Sequence, residues 1–167
     1  MTDKELKEFL CDLGYGDDTK IIEGISEAFV GISCHDNKIV YDEDKIFNIK
    51  DGEYILDEGD YYFMHFGEVT DEDAIILSEE YTKPAIIGST IGNRVVYDYE
   101  KLTQCFAEAF AKDEERKDFN ELSEDKQAEY ILSGREWVDY NTIRSLSYDL
   151  GNGKPMPIVI DRFENYA

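Results

Sequence analysis

An internal repeat constrains this chain more than any other feature. Ala28 to Ile46 reads AFVGISCHDNKIVYDEDKI and Ala85 to Leu102 reads AIIGSTIGNRVVYDYEKL; the two align once the first copy carries one extra residue near His35. A repeated stretch of this length builds the same supersecondary unit twice. In the second copy, AIIGST and RVVY flank Ile91-Gly92-Asn93, the pattern of two strands joined by a tight turn. The first copy then reads as a hairpin as well, turning at His35-Asp36-Asn37. Each hairpin ends in Tyr-Asp, which places Asp42 and Asp98 as N-caps of a following helix, with Lys45 and Lys101 three residues on. The second helix continues through Leu102, Phe106, Ala109 and Phe110. The first is cut short at Asp51-Gly52 and gives way to EYIL and DYYFMHF, which read as added strands.

Other segments fill in around the repeat. Thr2 to Glu5 has capping-box spacing, and Leu6, Phe9, Leu10 and Leu13 recur at helical intervals. Asp18 to Glu27 predicts a second helix, and Thr70 to Asp73 starts another that carries Ala74, Ile75, Ile76 and Leu77. Ser123 introduces a helix whose Tyr130, Ile131, Gly134, Trp137 and Val138 share a face, with Gly134 allowing close packing. Tyr140, Asn141, Thr142 and Arg144 read as its C-terminus, with Asn141 as cap. Pro155 and Pro157 bracket MPIVI, an edge-type strand. The fold class is α+β: a duplicated β-hairpin-helix unit, its antiparallel sheet packed with several helices. The halves 1–80 and 81–167 share one core. At 167 residues the chain buries about 70% of its unfolded surface and needs no staples.

Charge decides which functions are open. Lys and Arg number 17 against 39 Asp and Glu, a net −22. Residues 1–80 hold 6 basic and 23 acidic side chains, whereas residues 81–167 hold 11 and 16. Tyr, Phe, Ile and Leu run through the acidic stretch Asp42 to Glu80, so the carboxylates coat a folded surface. Such a field repels nucleotides and nucleic acid, and no phosphate-cradling glycine motif is present. Cys11, Cys34 and Cys105 lack CxxC spacing and read as free thiols. No apolar run is long enough to span a bilayer, and the charged N-terminus is unlike a signal peptide. The expectation is a cytoplasmic protein of a bacterial host cell, with no membrane contact, no metal and no cofactor.

The second half carries a resemblance. Ile86-Ile87-Gly88, Val95 to Lys101, Tyr140 to Leu146 with Tyr148, and Pro157 to Ile160 match blocks of a family of small uncharacterised bacteriophage and mobile-element proteins. The likeness spans residues 85–163. It departs at Ser147, in the charged segment Ala111 to Leu122, and in the extra copy in front. It implies a phage or mobile-element origin and a small α+β unit, and it brings no chemistry.

Catalysis finds little support in the residues. Cys34-His35-Asp36 has the residue types of a triad, but neighbours in a turn point apart, whereas triad members converge from separate positions. The chain reads as a non-enzyme. What stands out is the charge itself: duplex DNA carries one charge per 1.7 Å, so 22 charges match about 37 Å of duplex, and the globule is about 40 Å across. The function this predicts is anti-defence: binding and inhibiting a nucleic-acid-handling host complex, such as a CRISPR effector or restriction enzyme, through a DNA-mimic-like surface. Its partner-binding residues would be Asp42, Glu43, Asp44, Asp57, Glu58, Asp60, Tyr61, Tyr62, Asp71, Glu72 and Asp73. Tyr and Phe beside acids supply the apolar anchors an interface needs. The alternative is a non-catalytic phage interaction or regulatory module that self-associates as a homo-oligomer or binds a protein partner.

Overall fold

The computed structural model describes residues 1–15, 19–50, 59–71, 73–146 and 155–166, with only the backbone of Lys50. The first copy forms β1 (Phe29–Ser33), β2 (Ile39–Asp42), α2 (Glu43–Lys50) and β3 (Tyr61–Phe66), preceded by α1 (Asp3–Asp12). The second forms β4 (Ile86–Thr90), β5 (Val95–Asp98), α3 (Tyr99–Glu115) and β6 (Ile158–Arg162). Between α3 and β6 lie α4 (Glu124–Trp137), a π-turn (Val138–Thr142) and α5 (Ile143–Leu146).

The α+β class holds, but the sheet corrects the sequence reading. It is a closed six-stranded barrel of mixed pairing, not a simple antiparallel sheet, and the element that recurs is a hairpin, a helix and a third strand. Each hairpin is antiparallel, and Asn37 (φ 58°) and Asn93 (φ 63°) supply the left-handed residue in corresponding turns, a conformation Asn tolerates. The helix then carries the chain across, so the third strand runs parallel to the second: Ile39 pairs with Tyr61 and Val96 with Ile158. Parallel neighbours require such a crossover. Each third strand closes antiparallel on the other copy, β3 on β4 and β6 on β1. MPIVI is therefore no edge strand, because β6 is paired on both sides, and closure leaves no edge among the described strands.

Glycines permit the closure. Pairing slips by one residue between Phe29 and Gly31, and again between Ile86 and Gly88. A Cβ on Gly31 would sit 2.2 Å from the Asp161 carbonyl oxygen, and one on Gly88 2.1 Å from that of His65. Only a residue without Cβ fits at either contact.

Val30, Val40, Tyr62, Met64, Ile87, Val96, Ile158 and Ile160 fill the barrel. Outside it, Tyr41, Phe63 and Ile46 pack with Leu6 and Leu10 of α1, while Tyr97 and Val159 pack with Leu102 and Phe106 of α3. Strands β1, β2 and β5 are thus buried on both faces, which is why IVYD and VVYD lack a polar alternation. Gly134 lets α4 approach α3, where a Cβ would stand 2.6 Å from the Thr103 carbonyl oxygen.

The caps form as the spacing predicts. Thr2 and Glu5 make a reciprocal capping box, the Asp98 carboxylate accepts from Lys101 N–H at 2.9 Å, and that of Asp42 accepts from Asp44 N–H at 3.0 Å. Three helix expectations fail. Residues 19–27 hold no α-helix, only the start of a 3₁₀ turn at Ser26–Ala28, because Tyr41 draws Ile22 N–H to its hydroxyl at 3.0 Å. The stretch after Thr70 is likewise tied by Leu77 N–H to the Tyr97 hydroxyl, and the first helical turn there is 3₁₀, Glu80–Ala85, with Pro84 inside it. Asn141 caps nothing, since the chain winds on through the π-turn into α5. The EYIL strand expectation falls on residues outside those described.

Candidate functional site

The residues expected to form an acidic surface do not all lie on the outside. Asp44, Asp60, Asp71 and Asp73 are exposed, and Tyr61 is half-buried beside Asp60. Glu43 turns toward β3, its Oε1 lying 3.1 Å from His65 Nδ1. Asp42 and Tyr62 are buried, 8% and 3% exposed. Asp42 is there as the cap of α2, because a capping carboxylate must fold back on the helix's first amides. Tyr62 is there because its side of β3 faces the barrel interior. Asp57, Glu58 and Glu72 lie outside the described residues.

The second half is acidic in a different way. Several of its carboxylates, on α3, on α4 and between them, pair with nearby bases: Lys112 with Asp118, Lys126 with Glu115 and Glu129, Arg135 with Glu100. Exposed pairs of this kind contribute little stability, about 0–1 kcal/mol each, but they cancel charge locally. Residues 1–80 have only 6 bases for such pairing.

Cys34, His35 and Asp36 form the turn of the first hairpin, yet they do not make a triad. The Cys34 thiol lines a cavity with Tyr15, Tyr99, Asp139 and Asp161. Burial, followed by the charge of Asp161, pushes its pKa well above the ordinary range, which disfavours the thiolate form. Asp36 works elsewhere. Its carboxylate accepts hydrogen bonds from Ser33 Oγ and, at 2.7 Å, from the Tyr62 hydroxyl. His35 Nε2 lies 3.3 Å away, and Lys38 Nζ stands 5.0 Å over the Tyr62 ring. Burial raises the Asp36 pKa, but the Ser33 and Tyr62 bonds outweigh it and the net shift is downward. Burial lowers that of His35. Together these groups tie the turn to the barrel's interior tyrosine. Nothing in the sequence signals this link, because Asp36 lies in a turn and Tyr62 in a strand that neither a motif nor a spacing relates.

Among the described residues, no three His, Cys, Asp or Glu side chains gather to hold a metal ion, and no helix is long and apolar enough to cross a membrane. Tyr140 is 66% exposed and Leu132 58%, on the outer side of α4 and the turn after it. No protein-family model, curated protein or solved structure matches the chain.

Proposed function

We propose that this protein is a non-catalytic inhibitor that presents its acidic surface to a nucleic-acid-handling protein, in the manner of a phage or mobile-element anti-defence factor. The observation that carries the reading is a net charge of −22 on a barrel whose interior is filled with side chains. The barrel is a packed support, and Asp44, Asp60, Asp71 and Asp73 are exposed on its outside. The contact set is Asp44, Asp60, Asp71 and Asp73 with Tyr61, together with Asp57, Glu58 and Glu72. A field of this sign and size steers association with a basic groove and makes it salt-sensitive. The resemblance of residues 85–163 to phage proteins supports the setting. A CRISPR effector or restriction enzyme is the partner class.

The test is cleavage of a DNA substrate by a panel of such enzymes, with and without the protein. Inhibition of at least one enzyme should weaken as salt rises and be lost in the Asp60→Lys, Asp71→Lys, Asp73→Lys variant. Inhibition that persists in the folded variant at every salt concentration removes the acidic surface from the mechanism.

A second reading rests on exposed Leu132 and Tyr140, which offer a self-association face. A homodimer in size-exclusion chromatography that Tyr140→Ala with Leu132→Ala converts to monomer favours it.

A further inference from the structure

Two cavities flank the pair Phe66 and Arg162, and the repeat relates them. The first, about 450 Å³, is lined by Phe29, Val30 and Lys45 on one side and Glu164 on the other. The second, about 730 Å³, has Ile86, Ile87 and Lys101 at the corresponding positions and Glu68 opposite. Phe66 and Arg162 line both, and they are themselves counterparts at the ends of β3 and β6. The barrel's pseudo-two-fold axis thus passes through one continuous groove.

Its chemistry departs from the acidic average of the chain. In a chain where acids outnumber bases 39 to 17, the groove gathers Lys45, Lys83, Lys101 and Arg162 against Asp42, Glu68 and Glu164. Asp42 is already engaged as a helix cap, and Lys83 is paired with Glu80 at 3.1 Å, which leaves Lys45, Lys101 and Arg162 as the groove's bases. The Arg162 side chain is 16% exposed and its guanidinium lies 5.0 Å from the centre of the Phe66 ring, which is itself on the surface. A cation held over a ring in this way is oriented and partly desolvated. Nη2 of Arg162 is 3.0 Å from Glu164 Oε2, whereas Nε has no acceptor among the described residues. Glu164 is 73% exposed, so its carboxylate rests at the rim as an internal stand-in that an incoming anion can displace.

We propose that this groove binds a small aromatic anion, an aryl ring bearing one phosphate or similar group. The anionic group takes the place of Glu164 on Arg162, with Lys45 or Lys101 beside it, and the ring lies against Phe66. Long polyanions are disfavoured by the protein's overall field, but that field is screened over about 8 Å at physiological salt, and a single compact anion meets the local bases first.

Phenyl phosphate, inorganic phosphate and phenol, each titrated into the full chain by calorimetry and amide NMR, test the assignment. Phenyl phosphate should bind one site with a Kd of about 1 mM or tighter, while phosphate alone and phenol bind at least about tenfold more weakly. Shifts should centre on Phe66 and Arg162. Glu164→Gln should tighten binding several-fold, and Lys101→Ala and Arg162→Lys should each weaken it several-fold. Lys101 is exposed, so its loss does not endanger the fold. No saturable binding overturns the proposal, as do shifts scattered over surface lysines or binding unchanged in both Glu164→Gln and Lys101→Ala. None of these readouts involves the acidic surface, so failure here leaves the inhibitor reading untouched, and the reverse is also true.

Discussion

The two copies of the repeat share a scaffold and differ in what they hang on it. Gly31 and Gly88, Tyr41 and Tyr97, and Asp42 and Asp98 occupy corresponding places and do the same work. After the cap the copies part. Among the described residues the first has 8 in α2, while the second extends α3 to 17 and packs α4 against it. The same cap and strand end can therefore start a short crossover or a long one, and closure of the barrel does not depend on which. The shared positions carry the fold and the unshared ones are free to carry function.

The sharpest way to break the comparison is at the paired glycines. Gly31→Ala and Gly88→Ala each drive a methyl group into a backbone carbonyl that cannot yield cheaply. Each should cost about 3 kcal/mol, the upper end for overpacking, read as the urea midpoint of unfolding. Similar losses confirm that both closures are equally tight; a mild effect at one would show that its seam is looser. Gly134→Ala, which has no counterpart in the first copy, should cost about 2 kcal/mol by pushing α4 off α3.

The tyrosines come next. Tyr41→Phe and Tyr97→Phe each leave a backbone N–H, of Ile22 or Leu77, without its hydroxyl acceptor, at about 1–2 kcal/mol each. Hydrogen exchange at those two amides should accelerate in the matching variant only. Asp98→Ala should cost about 1 kcal/mol as a lost cap, and Asp42→Ala a similar amount.

The smallest effect separates the copies by pH. Only the first hairpin carries the His35 and Asp36 pair; the second turns through Ile91-Gly92-Asn93. The folded His35 pKa lies below its ordinary value of about 6.5, so the folded state favours the neutral ring. Its contribution is complete above that value and is lost as pH falls through the lowered one. Asp36, also lowered, adds a second loss at more acid pH, below the ordinary carboxylate value near 3.9. Thermal melting from pH 7 to pH 3 should show both steps, and His35→Gln should remove the first.

Sequence alone revealed the repeat, both hairpins, α1, α3, α4 and the caps at Thr2, Asp42 and Asp98, because each depends on residues close together in the chain. Closure was hidden. Alternation in DYYFMHF marks a strand without saying which neighbour it takes, and IVYD reads the same whether its other edge meets a parallel strand or water. The failed helices before Ala28 and Ala85 share one cause. Tyr41 and Tyr97 each reach back about twenty residues to a main-chain amide, and a local pattern cannot register that pull. For the candidate site, exposure at Asp60, Asp71 and Asp73 followed from composition, whereas the inward turn of Tyr62 required knowing which face of β3 is the interior. The cationic groove left a trace in the recurrence of Lys45 and Lys101, but Arg162 joins them only when the barrel closes.

That closure also sets a timetable. Gly31 pairs with Arg162, so a ribosome adding roughly 5–20 residues per second leaves the first hairpin waiting on the order of ten seconds for its last neighbour. During that interval the free side of β1 is a template for any other nascent strand. Residues 1–80, the portion already outside, hold 23 acids and 6 bases, and like charge keeps such half-made chains apart.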